Sequence, residues 1–186
     1  QGLLMQRYEA LFAEYGCVVG QVLLTREDFE DAGRKANATA TMAQLFGWRV
    51  IPVVNENDTV ANEEIRVGDN DTLSARVAVL AGADLLILLS DVDGFYPADP
   101  RTTPGLLPLA QVSLQDDLER AAGGAGTGNG TGGMVTKVQA ARICGTAGIP
   151  TVLADGARPG VLRAILAGEP VGTLFAPGLK AVAGEG

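Results

Sequence analysis

Apolar positions along the chain follow two rhythms. Runs of roughly four to eight mostly apolar residues, closed by turn residues, read as buried strands. They are Cys17–Leu24, Val50–Val54, Leu85–Leu89, Ile149–Ala154 with Pro150 at its start, and Gly172–Phe175. Between them the spacing turns helical. The N-terminal segment carries Leu3, Leu4, Tyr8, Leu11 and Phe12 on a helical pattern, and Thr72–Ala81 places Leu73, Val77, Leu80 and Ala81 on one face. Further helices are predicted from about Ala36 to Phe46, Val112 to Ala122, Met134 to about Ala147, and Pro159 to about Ala167. Gly16 is placed to cap the first helix, and Gly47, Gly82 and Gly148 end later ones. Thr25 with Asp28 three residues on resembles a capping box. Strands alternating with helices imply an α/β fold with a mainly parallel, buried sheet. With no internal repeat and no dividing linker, residues 1–177 are expected to form one domain and residues 178–186 a flexible tail.

Composition narrows the function. The 186 residues, 47% apolar with few aromatics, suit a single well-cored domain. A formal charge of −8 argues against a nucleic-acid-coating surface, though not against a local cationic spot for a phosphate. No run of about 18 apolar residues predicts a membrane span, no signal peptide is expected, and the two distant cysteines, Cys17 and Cys144, are expected to be free buried thiols. A cytoplasmic protein follows as the expectation. Histidine is absent, which removes Ser-His-Asp and Cys-His catalysis and the usual zinc sites.

One stretch stands out. Asn55–Asp71 reads NENDTVANEEIRVGDND, with six carboxylates against one cation, Arg66. Val60, Ile65 and Val67 alternate like a small hairpin turning near Asn62, which would fold Asn55–Asp58 back toward Asp69–Asp71. Such a stretch can be a solvated loop with Asx turns and an N-cap at Asp71. Its place, after a buried strand and before a helix, is also where open α/β sheets bind ligands.

Two later stretches carry weaker signals. The strand ending at Leu89 empties into Ser90-Asp91-Val92-Asp93-Gly94-Phe95-Tyr96, a turn-rich exit whose carboxylates could hold a ribose or a metal-bound phosphate. Gly123–Gly133 has the composition of a flexible linker but leads through Thr131-Gly132-Gly133 into the helix at Met134. A Gly-rich turn feeding a helix N-terminus offers N–H groups to an anion. Lys137 is expected in the first turn, where a bound phosphate would offset its opposition to the helix dipole. The Gly-Lys pair of a Walker A loop is absent, so a P-loop NTPase is not indicated.

Taken together, three stretches resemble the amino acid kinase family, and within it the branch that phosphorylates the γ-carboxylate of L-glutamate. They are Asn55-Glu56-Asn57-Asp58 with Gly68-Asp69-Asn70-Asp71, Asp91–Tyr96 through Asp99-Pro100-Arg101, and Gly130–Lys137. The first and last are the more specific to that branch. The resemblance covers nearly the whole chain. It implies a three-layer αβα sandwich and phosphoryl transfer from ATP, with Mg²⁺, to L-glutamate, the first step of proline biosynthesis. It implies that Asn55, Asp58 and Asn70 bind the amino-acid substrate. Asp71 would organise the cations around the moving phosphate. Ser90, Asp91, Thr131, Gly132, Gly133 and Met134 would hold the nucleotide, with Lys137 on its phosphates. No resident metal ligands are implied, and the partners are ATP, L-glutamate and further copies of the chain as a dimer or tetramer.

The chain also departs from that pattern. The family's N-terminal strand, with a lysine in a Val-Lys-x-Gly-Ser-like turn, and its later Ser-Gly-Ala substrate loop have no counterpart; nor does the C-terminal PUA domain of many members. The chain is therefore expected to be the middle and back of a kinase domain and not to turn over glutamate at a useful rate alone. Two other readings fit the same residues: a family member acting on a different carboxylate or a carbamate, and a nucleotide- or amino-acid-binding module without turnover.

Overall fold

The computed structural model describes residues 2–57, 69–98, 103, 105–114, 118 and 132–177. The chain divides into two compact units, Gln1–Leu73 and Ser74–Gly186.

The first unit runs α1 (Gly2–Ala13), β1 (Val18–Leu24), α2 (Glu27–Glu30), α3 (Ala32–Gly47) and β2 (Val50–Glu56), and ends in the first turn of α4 (Asn70–Ala81). Strands β1 and β2 are parallel, Val18 opposite Val50 through Leu24 opposite Glu56. Gly16 stops α1 in the left-handed region (φ 67), and the Cys17 N–H returns to the Phe12 carbonyl at 3.0 Å. The helix forms as predicted but turns a different stripe inward. Met5 is buried and Phe12 half-buried two turns on, while Leu3, Leu4, Tyr8 and Leu11 stay exposed. Among the described residues of this unit one side of the helix is buried, so periodicity found the helix without fixing its facing.

Between the strands, local polar chemistry sets the boundaries. The Asp28 carboxylate accepts from the Thr25 N–H at 2.6 Å and the Thr25 hydroxyl at 2.8 Å, the reciprocal half of the expected capping box. The Arg34 guanidinium reaches Asp28 at 3.0 Å, Glu27, and the Thr25 hydroxyl at 3.3 Å. Burial alone would raise the Asp28 carboxyl; the Thr25 and Arg34 hydrogen bonds outweigh it and hold the group below its ordinary value. Asp31 accepts the Arg34 N–H at 2.8 Å as N-cap, so α3 starts at Ala32, ahead of its apolar pattern.

The second unit holds a four-stranded sheet ordered β3-β5-β6-β4. The strands are β3 (Leu86–Ser90), β4 (Gln111–Ser113), β5 (Thr151–Asp155) and β6 (Thr173–Ala176). β3 and β5 are parallel, β4 and β6 are parallel, and β5 and β6 are antiparallel. Among the described residues the unit also contains helices α5 (Gly132–Thr146) and α6 (Val161–Leu166). The period-2 alternation of β5 sorts the core. Leu153, with Leu86, Leu88 and Phe175, packs under Ala75 and Ala78 of α4 and Val138, Ala140, Ala141 and Cys144 of α5. Val152 and Ala154 face the other way, onto Val161 and Ile165 of α6. This unit is therefore helix, sheet, helix in section, an α/β arrangement of three layers.

Two expected elements change. Val112 opens no helix: Gln111–Ser113 pairs with β6, a strand too short to show alternation in the sequence. Asp71 does not cap α4. Asp69 does, accepting the Thr72 N–H at 2.6 Å and the Thr72 hydroxyl at 2.9 Å, and Asp71 lies in the first turn.

Candidate active site

In the first unit the acidic stretch starts on β2. Asn55 stands opposite Leu23 near the strand's C-terminal end, and its Oδ1 accepts the Glu56 N–H at 2.9 Å. The Asn57 N–H donates to the Leu24 carbonyl at 2.8 Å, so the β1–β2 pairing continues one residue past Glu56. Asn70 and Asp71 open α4. With Asp69 taken up in capping, Asp71 sits where the helix dipole favours a carboxylate. Asp58 and the predicted hairpin around Asn62 lie outside the described residues.

In the second unit the described residues expected to hold the nucleotide, Ser90, Asp91 and the start of α5, lie toward one end of the sheet. Ser90 is the last residue of β3, opposite Asp155 of β5, and its hydroxyl donates to Asp91 Oδ1 at 3.0 Å. Helix α5 turns back through Gly148 (φ 76) directly into β5 and packs on it. Its N-terminus therefore points toward the C-terminal ends of β5 and β3, the end that carries Ser90 and Asp91. The helix starts at Gly132, two residues earlier than the apolar pattern, because its first two residues are glycines without a hydrophobic mark. Lys137 is consequently the sixth helical residue and not part of the first turn. Helical side chains lean toward the N-terminus, and the Lys137 amine donates back to the Gly133 carbonyl at 3.3 Å. Its positive charge is thus delivered to the helix start where an anion would dock. Met134 is half-buried against the core that holds this turn. Thr131 lies outside the described residues.

The loop beyond Ser90 is held more firmly than its turn-rich sequence suggests. Phe95 is fully buried and meets Phe175 edge-on, centroids 5.6 Å apart at 71°. Its N–H donates to the Thr173 hydroxyl at 2.7 Å. The exposed Asp93 carboxylate accepts the Tyr96 hydroxyl at 2.8 Å; that bond first, then burial, raises the Tyr96 phenol above its ordinary value. Asp93 and Tyr96 belong to a stretch the sequence marks, but their mutual bond is not legible there, and Thr173 does not stand out at all. The available signal was a polar residue inside the apolar run Thr173–Phe175.

Comparison with known proteins places the chain in a family. The profile of the amino acid kinase family matches residues 1–155. The chain belongs to the amino acid kinase family. Among curated proteins it is 72% identical over 175 residues to the glutamate 5-kinase of Symbiobacterium thermophilum, covering 94% of this chain and 67% of that protein. The glutamate 5-kinase of Caldanaerobacter subterraneus subsp. tengcongensis is 54% identical over 178 residues, covering 95% and 48%. The chain thus spans between about half and two thirds of the length of the relatives it matches. Among solved structures, isopentenyl phosphate kinase aligns with a TM-score of 0.63 at 20% identity, over 94% of this chain and 66% of that one. UMP kinase from Bacillus anthracis aligns with 0.59 at 18% identity, over 88% and 60%. These two carry the fold: an α/β amino acid kinase with a mainly parallel sheet. Among the described residues no helix is long and apolar enough to cross a membrane.

Proposed function

We propose that the protein of which this chain forms part transfers the γ-phosphoryl group of MgATP to the γ-carboxylate of L-glutamate. The observation that carries this reading is the high identity, over nearly the whole chain, to bacterial glutamate 5-kinases. A carboxylate oxygen of glutamate attacks the γ-phosphorus as the bond to the β–γ bridging oxygen breaks. ADP leaves with that electron pair, and the product is an acyl phosphate. The attacking carboxylate is already ionised at neutral pH, so no general base is required. What the protein must supply is position and positive charge around the moving phosphoryl.

Lys137, whose amine reaches back to the start of α5, is the cation assigned to the phosphates, beside the N–H groups of Gly132, Gly133 and Met134. Ser90 and Asp91 hold the nucleoside end. Asn55, Asp58 and Asn70 bind the amino-acid end of glutamate, whose ammonium suits amide and carboxylate partners, and Asp71 orients the cationic groups. Among the described residues no group of three or more acidic, cysteine or histidine side chains is arranged to hold a metal ion. In this reading Mg²⁺ arrives on the ATP phosphates, its usual mode, and neutralises their charge. The reading includes a cytoplasmic homo-oligomer, dimer or tetramer, which sedimentation measures.

The test is ADP release by the full-length protein with MgATP and a panel of free amino acids, N-acyl amino acids and carbamate, the acyl phosphate being trapped as its hydroxamate. Turnover with L-glutamate alone is expected. Turnover with another acceptor moves the protein elsewhere in the family, and nucleotide binding without ADP release makes it a binding module. Asp58→Ala should raise the glutamate KM strongly and leave ATP binding nearly unchanged.

A further inference from the structure

We propose that Thr173 is a positioning residue for the nucleotide: its buried hydroxyl sets the backbone of the Asp91–Tyr96 loop, and through that loop the affinity for ATP. The proposal rests on the reading of this loop as nucleotide-binding.

Thr173 opens β6 and is wholly buried. Its Oγ accepts the Phe95 N–H at 2.7 Å and donates to the Leu109 carbonyl at 2.6 Å. The Leu109 N–H donates to the Phe95 carbonyl at 2.8 Å. Two facing residues of an antiparallel ladder exchange both of their N–H···O bonds directly. Here one bond is direct, and the hydroxyl of Thr173 is inserted into the other. The Phe95 backbone is thereby tied to Leu109 and to β6 at once. Its ring is tied to the same strand through Phe175, two residues along.

The approach is close. A Cβ on Gly94 would come 2.7 Å from Thr173 Oγ and 2.9 Å from Pro108 Cβ, so only glycine admits the hydroxyl at this place. Valine has nearly the shape of threonine and would satisfy the apolar core equally well. The hydroxyl therefore has one evident use, which is to hold residues 94–95. Asp93 and Tyr96, bonded to each other, project from either side of that anchor, and Asp91 lies two residues before Asp93.

The test uses the full-length protein with Thr173→Val, which keeps the shape and leaves the Phe95 N–H and Leu109 carbonyl without their partner, and Thr173→Ser, which keeps the hydroxyl. Thr173→Val should raise the ATP KM and the ADP Kd about tenfold, the scale of one lost buried hydrogen bond. The glutamate KM, and kcat at saturating ATP, should change by less than about twofold. Thr173→Ser should restore nucleotide affinity. A fall in Tm for Thr173→Val with unchanged nucleotide affinity would mean a structural role only and overturn the proposal. Asp91→Ala run beside it separates the two readings. If it weakens nucleotide binding and Thr173→Val does not, the positioning role alone fails; if Asp91→Ala is itself neutral, the loop reading fails and this proposal with it. Should Thr173→Val not fold, Gly94→Ala, which displaces the hydroxyl, is read by the same KM split. Amide exchange at Phe95 in the unaltered protein should then slow on adding MgADP; exchange indifferent to MgADP overturns the proposal.

Discussion

Ser90 and Asp155 stand opposite each other at the C-terminal ends of two parallel strands, and the N–H of Gly156, one residue on, donates to the Ser90 carbonyl at 2.8 Å. The exits of β3 and β5 are thus locked together where Ser90 and Asp91 leave the sheet. A Cβ at Gly156 would approach Leu89 Cβ at 3.2 Å and the Ser90 carbonyl oxygen at 3.5 Å. Alanine can be absorbed there by a small shift, whereas valine must move the Ser90 backbone. Gly156→Val is expected to raise the ATP KM by about three- to tenfold, near 1 kcal/mol, with the glutamate KM unchanged. Steady-state kinetics with each substrate varied in turn decides it.

Lys137 reaches back to the Gly133 carbonyl. If its charge serves the transferring phosphoryl, Lys137→Ala should lower kcat by about a hundredfold or more in the full-length protein. Lys137→Arg keeps the charge but not the compact ammonium, and should fall between the two. A kcat within about twofold of the unaltered protein for Lys137→Ala would leave Lys137 as an ordinary helix residue.

Asp28 gives stability a pH dependence of known sign. Its carboxyl titrates lower in the folded chain than its ordinary value of 3.8. Its contribution is therefore complete above that value and is lost as pH falls through the lower folded one. Asp28→Asn should cost about 1 kcal/mol at pH 7, as for the loss of a helix cap, and the gap should narrow below about pH 4. Thermal melts of both proteins across that range measure it; a gap that stays constant to pH 3 would contradict the assignment.

Gly172 and Gly168 both lie in the left-handed region, at φ 73 and φ 77. A Cβ on Gly168 meets open space, whereas one on Gly172 would overlap the Leu153 carbonyl oxygen. Gly168→Ala should cost about 1 kcal/mol, the conformational term alone. Gly172→Ala must also displace a β5 backbone and is expected to cost about 3 kcal/mol or more. Urea unfolding of the pair compares them with the same chemical change.

The strands were legible because each is a short apolar run between turn residues, and five runs yielded five strands in place. What sequence concealed has a common physical origin. β4 is three residues long and owes its existence to β6, a partner far along the chain, so no local rhythm marks it. The start of α3 belongs to Asp31 and that of α4 to Asp69, single hydrogen-bonding side chains among many similar acids. For the candidate site, the residues that could touch a ligand were visible as motifs. Thr173, which holds one of those motifs from 78 positions away, was not, because an isolated threonine in a strand looks like ordinary β-propensity.

Among the described residues the only buried polar side chains are three threonines, Thr25, Thr151 and Thr173, and no charged residue is fully buried. The buried Cys144 thiol is held neutral, burial pushing its pKa up, so at neutral pH the described core carries no charge. Its cohesion is that of apolar surface withdrawn from water, and unfolding carries the large positive heat capacity of exposing that surface again. Stability should therefore follow a curved temperature profile with an optimum near or below room temperature.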